Sequence, residues 1–315
     1  MRNSKYAVCY IGYKLRPFSE KCIASISKNK KFDTYAYIDN CGDENEIDKV
    51  KYQFLKYFPN ANIVIRHINY GPDLNIICAM NETFSKGYDG IFYCENDIYF
   101  VDTAFETLEN LAEWAKTNVP EASVFHSWNY NLKKEEFQKQ YDFYFHNHGL
   151  EKLNYNDFCT FEENEVGFTG QNHWGALITR KAWNAIAPYI LRHYQSYINA
   201  HEISMKAFDF ENFMELMSKL QYVDNISNEF KYRTVSRFNL IGWECIYELA
   251  LLSNGLLRLC LTNPRSMSCG FEGCTSKDTF SEMGLDKIRL NSFKDVPKEF
   301  ILNQKSKELF LKSEK

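Results

Sequence analysis

The sequence predicts an α/β protein with a mixed, mostly parallel central sheet flanked by helices. Short apolar runs of strand length alternate with helical patterns through the first hundred residues, at the spacing of βαβ units. Several of these runs end on acidic or amide side chains, as strands do beside a ligand site. With 315 residues, 45% of them hydrophobic and 25% charged, the chain is large enough to bury a sizeable core.

The predicted elements follow one another in the order of that class. Strands are predicted at residues 6–10, 34–38, 63–68, 91–94, 123–128, 175–180 and 256–261. Helices are predicted at residues 20–29 after a Ser19 cap, at 48–58, 75–86 and 102–117, from residue 181, and at 189–220 and 242–255. Because crossovers between parallel strands are right-handed, the carboxyl ends of the first four strands meet at one edge of the sheet.

The most informative segment is the fourth strand, which ends on the triplet Glu95-Asn96-Asp97. Carboxylates two residues apart on a strand point to the same side, so Glu95 and Asp97 are predicted to share a hard cation such as Mg²⁺ or Mn²⁺. Such a cation grips a diphosphate, which predicts a nucleotide-diphosphate site. The alternative is a solvated turn without a ligand.

Two further strand ends add polar groups to the same edge. Asp39 follows the second strand and is suited to accept hydrogen bonds from uracil, guanine or ribose; the alternative is a turn-forming cap. Asn69 and Gly71 follow the third strand. Gly71 lets the backbone turn sharply or approach a ligand closely, and an ordinary turn glycine is the alternative.

Composition excludes several classes of function. A net charge of −4 argues against a nucleic-acid partner, which requires a basic face. The ten cysteines are scattered and no continuous apolar segment opens the chain, which predicts reduced thiols in a cytoplasmic protein. No run approaches the roughly 20 apolar residues of a bilayer span, so membrane contact is expected to be peripheral at most.

Taken together, these motifs resemble the nucleotide-binding half of a family 2-like glycosyltransferase of the GT-A, or Rossmann-like, fold. The resemblance is carried by the strand ending at Asp39, by Asn69-x-Gly71 and its helix with Ala79 and Asn81, and by the apolar strand into Glu95-Asn96-Asp97. It implies that Asp39 contacts the nucleoside and that Asp97, the second acid of the motif, binds Mn²⁺ or Mg²⁺. Glu95 replaces the usual first aspartate and is assigned to the ribose or to the metal.

The second half of the chain resembles the family in two places. The segment VGFTGQNHWGALITRKAW implies that Trp174 and Gly175 border the transferred sugar, although Trp174 is equally well explained as a core residue. In GWECIYELALLSNG, Glu244 falls where the catalytic base would be, with Glu248 as the second candidate. The alternative for Glu244 is stabilisation of its own helix. The family's later histidine ligand is missing. Either another residue completes the metal's ligands, with Arg265 or Ser268 reaching the diphosphate, or metal dependence is weak.

The resemblance implies a glycosyltransferase that moves a sugar, with inversion, from a UDP- or GDP-sugar to a saccharide, lipid-linked or protein hydroxyl. One domain is predicted at residues 1–285, with a nucleotide half to about 118 and an acceptor half from about 119, followed by a helical tail at 286–315. The alternatives are a non-catalytic glycan-binding or scaffold protein, and a sugar nucleotidyltransferase. The latter would need a glycine-rich loop after the first strand, where only Gly12 occurs.

Overall fold

The computed structural model describes residues 5–28, 31–127, 164–169, 175–200, 210–228, 230–231, 243–269 and 295–312. The strands are β1 (Tyr6–Gly12), β2 (Asp33–Ile38), β3 (Asn62–Ile65), β4 (Gly90–Glu95), β5 (Ile98–Phe100), β6 (Ala122–His126), β7 (Glu165–Phe168), β8 (Ala176–Thr179), β9 (Leu257–Leu261), β10 (Ser266–Ser268) and β11 (Ile301–Leu302). The main helices are α1 (Ser19–Ser27), α2 (Glu44–Tyr57), α3 (Gly71–Ser85), α4 (Ala104–Asn118), α5 (Arg180–Ala200), α6 (Phe210–Gln221), α7 (Trp243–Ser253) and α8 (Gln304–Phe310).

Nine strands form the central sheet, in the order β11-β7-β9-β6-β8-β4-β1-β2-β3. Strands β1 to β4, β6 and β9 run in one direction, and β8 lies antiparallel between β4 and β6. Strands β5 and β10 form a separate antiparallel pair. The predicted class, a mixed and mostly parallel sheet flanked by helices, is therefore confirmed.

Helices cover both faces of the sheet, which explains why every residue of β1 is buried. On one face, Tyr10 of β1 packs against Phe54 of α2, and Phe92 of β4 stacks on Phe105 of α4 with ring centroids 4.3 Å apart. On the other face, the Tyr37 hydroxyl lies 2.9 Å from the Thr83 hydroxyl of α3. Helix α5 packs beside α3 in that second layer, and α7 packs against α5.

Two helices begin earlier than the hydrophobic pattern predicts, because polar residues define their first turns. Helix α2 begins at Glu44 rather than residue 48, since the Asp43 carboxylate accepts hydrogen bonds from the N–H groups of Asn45 and Glu46. Helix α3 begins at Gly71 rather than residue 75, with Pro72 in its first turn.

Other boundaries also differ from the prediction. Strand β3 ends at Ile65 instead of residue 68, and the predicted helix at 189–220 is two helices, α5 and α6. Ser19 is the first residue of α1 and not its cap, because its hydroxyl accepts a hydrogen bond from the Arg16 N–H. Residues 201–209, which the prediction included, lie outside the described residues.

The described part of the tail is not only helical. Strand β11 adds to the sheet beside β7, and the Asn303 amide donates a hydrogen bond of 2.6 Å to the Glu165 carboxylate. Helix α8 follows, with Phe310 packed on Phe168 and Phe230. The tail therefore completes one edge of the sheet. Within the described ranges, no helix has the length and apolar character needed to cross a bilayer.

Candidate functional site

Strands β1 to β4 are parallel and end at the same level, and several predicted site residues follow their carboxyl ends. The register pairs Ile11 with Glu95, Gly12 with Ile38, and Ile38 with Ile65. The residues that follow these ends therefore lie along one rim of the sheet, as strand order and crossovers require. This rim carries Asp39.

Asp39 directly follows β2 and is only 4% exposed. Its Oδ1 accepts hydrogen bonds from the Asn40 N–H at 2.9 Å and the Tyr70 N–H at 2.8 Å. Burial raises the pKa of Asp39, although the N–H groups of Tyr70, Asn40 and Gly71 and the charge of Arg66 act in the opposite direction. Asp39 thus offers a strong acceptor in a position that backbone groups hold firmly.

Asn69 and Gly71 form the turn that leads into α3. The Asn69 Oδ1 accepts a 2.8 Å hydrogen bond from the Gly71 N–H, which is the pattern of a turn-forming asparagine. Gly71 has a φ of 71°, in the left-handed region that favours glycine. Asn69 and Gly71 form the turn around Tyr70, whose N–H donates a hydrogen bond to the Asp39 carboxylate.

Glu95 and Asp97 lie in different surroundings. The Tyr93 hydroxyl donates a 2.7 Å hydrogen bond to the Glu95 carboxylate. The buried Oδ1 of Asp97 has no hydrogen-bond partner among the described residues, and burial raises the pKa of Asp97 to about 6. Asp97 therefore presents a carboxylate oxygen that lacks any neutralising group in the described part of the chain.

The direction of Asp97 is not set by strand alternation. Strand β4 ends at Glu95, and Asp97 lies in the turn before β5. Its negative charge contributes to raising the pKa of Tyr10 and Cys22, after the larger effects of burial and, for Cys22, of a hydrogen bond with Cys269. Tyr10 packs on the α2 face of the sheet, whereas Tyr93 holds Glu95 on the opposite face. Because Asp97 lies beyond the end of β4, the same-side geometry expected from the i, i+2 spacing along a strand does not determine how its side chain lies relative to Glu95.

Two contacts fix the turn that contains Asp97, and neither could be predicted from a local sequence pattern. The Asn96 side-chain amide donates a 3.2 Å hydrogen bond to the Lys14 carbonyl, in the loop after β1. On the other side, the Cys269 N–H donates a 2.6 Å hydrogen bond to the Asp97 carbonyl. Both contacts join segments distant in sequence, so only the folded chain reveals them.

Asp97 offers an oxygen ligand for a metal ion, and the described residues contain no complete set of protein ligands around one. No group of three or more His, Cys, Asp or Glu side chains suited to a metal occurs within the described residues. Mg²⁺ commonly binds proteins through one or two carboxylates together with substrate phosphates and water. The buried Asp97 Oδ1, which has no partner in the described ranges, fits that kind of site.

Gly175 opens β8 and is tightly enclosed. Its φ is 63°, and a Cβ at this position would lie 2.6 Å from the Ser266 Oγ and 2.8 Å from the Ser127 Oγ. The Gly175 carbonyl accepts hydrogen bonds from both the N–H and the hydroxyl of Ser127. Glycine is therefore required here for close approach of three segments. Trp174 lies outside the described residues.

The candidates of the second half differ in their placement. Glu244 is the second residue of α7, and its side chain is outside the described part. Glu248 is buried in an ion pair with Arg258 of β9, so it is not a free base. Arg265 was expected to reach the diphosphate, but its buried guanidinium donates hydrogen bonds to the Thr103 hydroxyl and the Asp295 carbonyl. Arg265, one of the two residues suggested for the diphosphate, instead links β10 to Thr103, the residue before α4, and to the tail.

No protein-family model matches the chain, and no curated protein matches it. Solved structures, a mannosyltransferase among them, match part of the fold.

Three of these structures illustrate the extent of the match. Residues 1–349 of S. aureus TarS are 14% identical, with a TM-score of 0.37, over 57% of this chain and 48% of that one. The mannosyltransferase PcManGT of Pyrobaculum calidifontis, solved with GDP-Man and Mn²⁺, is 14% identical, with a TM-score of 0.36, over 57% and 46%. TarS 1–349 with UDP-GlcNAc is 20% identical, with a TM-score of 0.27, over 39% and 34%. The match thus spans less than half of each neighbour's length.

Proposed function

We propose that this chain is a metal-assisted glycosyltransferase that uses a nucleotide-diphosphate sugar as donor. The observation that carries the proposal is the Asp97 carboxylate at the rim of the parallel sheet. Its Oδ1 is buried, and no hydrogen bond to it occurs within the described ranges. Burying a carboxylate without a partner is costly, so such a group is retained where a ligand completes it. A divalent cation bound to a diphosphate is that ligand.

Mn²⁺ or Mg²⁺ would be held by Asp97, with the donor's diphosphate supplying further oxygen ligands. When bound, the cation supplies positive charge that stabilises the departing nucleoside diphosphate. Glu95, held by the Tyr93 hydroxyl, is assigned to the ribose or to a water on the metal.

The nucleoside would lie beside Asp39 and the turn of Asn69 and Gly71. An ionised carboxylate accepts hydrogen bonds from the ring N–H of uracil or guanine, or from a ribose hydroxyl. The backbone donors that hold Asp39 fix the direction of that acceptor. This arrangement supports UDP or GDP as the carrier, and both remain in the proposal.

The acceptor side is assigned to the second half of the chain. Glu244, in the first turn of α7, would take the proton from an acceptor hydroxyl as it attacks the anomeric carbon, with inversion. Trp174 and Gly175 would border the transferred sugar. The acceptor is a saccharide, lipid-linked or protein hydroxyl, and we place the reaction in the cytoplasm.

A non-catalytic protein that binds a glycan on the same fold is the second candidate. It is favoured by the lack of a group of three metal-ligating side chains within the described residues. Turnover separates the two functions, because a binding protein releases no nucleotide from a sugar donor.

The test is nucleotide release from UDP- and GDP-sugars, with and without Mn²⁺. We expect Mn²⁺-dependent release by the natural chain and its loss in Asp97→Asn. Asp102→Asn is the matched control, because Asp102 is an exposed carboxylate five positions later that pairs with Lys28. Equal release by both variants would refute the assignment of Asp97.

A further inference from the structure

Helix α3 is held by two arginines. Near its carboxyl end, Arg180 donates hydrogen bonds to the carbonyls of Tyr88 at 2.6 Å and Phe84 at 2.8 Å. Arg66, the residue after β3, donates from Nε to the Asn75 Oδ1 in the second turn at 2.8 Å, and from Nη1 to the Glu82 carboxylate in the last turn at 2.5 Å. The second anchor lies at the rim where the proposed nucleoside site is.

Two aromatic rings enclose the Arg66 guanidinium. Its central carbon lies 5.1 Å from the ring centroid of Tyr37 and 5.1 Å from that of Tyr70. Only 6% of Arg66 is exposed, so both cation–π contacts form away from water, where they are strongest. Tyr37 belongs to β2, and Tyr70 immediately precedes α3. The guanidinium therefore joins the end of β2 to the start of α3.

This junction includes the groups that hold Asp39. The Tyr70 N–H donates to the Asp39 carboxylate, and the Arg66 N–H donates to the carbonyl of Ile38, the residue before Asp39. A shift of Tyr70 would move one of the hydrogen bonds that orient the carboxylate. The position of Arg66 is thus coupled to the position of the Asp39 acceptor by short, direct contacts.

Stability alone does not account for an arginine at this position. The Nη2 atom is buried and has no hydrogen-bond partner within the described residues. A buried cation with an unsatisfied donor is commonly no more stabilising than an apolar side chain of similar volume. An apolar residue would fill the space between the rings, but it would not fix Asn75 and Glu82 as well.

We propose that Arg66 is a positioning residue for the donor nucleoside. It holds Tyr70 and the first turns of α3 against the end of β2, and so sets the direction in which Asp39 meets the base or ribose. This inference rests on the proposed function. It adds a residue that acts through Asp39 and Tyr70 without touching the reacting atoms.

The test compares Arg66→Met with Arg180→Met, which removes an anchor of the same helix far from the rim. Affinities for UDP and GDP are measured by calorimetry, and kcat and KM for the sugar donor by nucleotide release. We expect Arg66→Met to raise Kd and donor KM about tenfold or more, as misplacement of a binding group does, with kcat largely kept. Arg180→Met is expected to leave Kd and KM unchanged.

Two milder variants keep the test decisive if Arg66→Met does not fold. Arg66→Lys keeps the charge and should restore part of the affinity. Glu82→Gln weakens the anchor at a side chain that is 41% exposed, and should raise donor KM in the same direction by a smaller factor. Equal effects of the Arg66 and Arg180 variants, or unchanged KM in both milder variants, would overturn the inference. If the natural chain binds neither nucleotide, the proposed function itself fails.

Discussion

Asp97 is the residue on which the proposed chemistry depends, and burial makes its carboxylate unfavourable for the folded chain alone. Its Oδ1 is buried without a hydrogen-bond partner among the described residues, and burial raises the pKa of Asp97 to about 6. A folded protein keeps such a group only where binding offsets its cost. Stability and activity should therefore respond to its replacement in opposite directions.

Asp97→Asn is accordingly expected to stabilise the chain while it abolishes metal-dependent turnover. Removing a buried charge that has no partner should raise the free energy of unfolding by about 1–3 kcal/mol in the absence of metal. Urea unfolding near neutral pH measures this change, with Asp102→Asn as the control for an exposed carboxylate. A loss of stability in Asp97→Asn would show that the carboxylate has a structural partner.

Asp39 predicts a pH dependence of stability whose sign follows from its raised pKa. The pKa of Asp39 in the folded chain lies above its value of about 3.9 in the unfolded chain. Asp39 therefore contributes to the free energy of unfolding below that unfolded value, and the contribution is lost as pH rises through the folded pKa. Asp39→Asn should remove this loss. Urea unfolding measures the free energy of unfolding of the variant minus that of the natural chain, and this difference should increase from pH 4 to pH 8. A decrease would contradict the raised pKa of Asp39.

Residues at strand ends could be predicted from the sequence, whereas residues that act through side-chain contacts could not. Asp39 and Asp97 follow apolar runs, and a parallel sheet brings such ends together. Arg66 lies inside the apolar run IVIRHI and resembles an ordinary strand residue. Its importance appears only once Tyr37 and Tyr70 enclose it, and that contact depends on the tertiary fold.

At the scale of the elements, the turn into β8 is more constrained than its sequence indicates. Gly175 approaches Ser127 and Ser266 so closely that a methyl group would overlap both hydroxyl groups. This packing joins β6, β8 and β10 beside the predicted acceptor side. Small residues are therefore needed here for backbone contact, whatever role the segment has toward the sugar.

Gly175→Ala should destabilise the chain more than the same change at Gly42. Both glycines have a positive φ, so alanine costs roughly 1–2 kcal/mol of backbone strain at either position. Gly42 has open space around a Cβ, whereas at Gly175 the added Cβ overlaps its neighbours, which costs a further ~2 kcal/mol of stability beyond the strain. Thermal and urea unfolding of both variants measure the difference, and equal losses would contradict the enclosed geometry.

The elements themselves were largely predictable, and the errors have physical causes. Strands β1, β2 and β4 could be predicted because each is a short apolar run that is buried on both faces of the sheet. Helices α2 and α3 begin earlier than predicted because capping and turn residues extend them beyond their apolar patterns. Strand β11 has two residues, and its pairing with β7 is a long-range contact that no local pattern reports.

At the scale of the whole molecule, the proposed donor groups and the tail lie at different parts of the sheet. The proposed donor groups follow the carboxyl ends of β1 to β4, while the tail adds strand β11 beside β7. Phe310 packs between Phe168 and Phe230, with ring centroids 5.6 Å and 4.1 Å away. Stability of the tail edge should therefore be separable from donor binding.

Phe310→Ala is expected to lower the free energy of unfolding by about 3 kcal/mol, as truncation of a buried aromatic side chain does. Donor KM should stay unchanged in the protein that remains folded, because the rim is formed by other strands. Urea unfolding and nucleotide-release kinetics measure the two quantities. A raised KM with little loss of stability would indicate that the tail contributes to the donor site.

The central claim is that Asp97 binds a divalent cation together with the donor's diphosphate. It is tested most directly by titrating Mn²⁺ into the protein with UDP or GDP present and following free Mn²⁺ by electron paramagnetic resonance. We predict that the natural chain and Asp102→Asn bind Mn²⁺ in a nucleotide-dependent manner, and that Asp97→Asn does not. Binding of Mn²⁺ that is equally strong in Asp97→Asn, or its absence from the natural chain with both nucleotides, would contradict the claim.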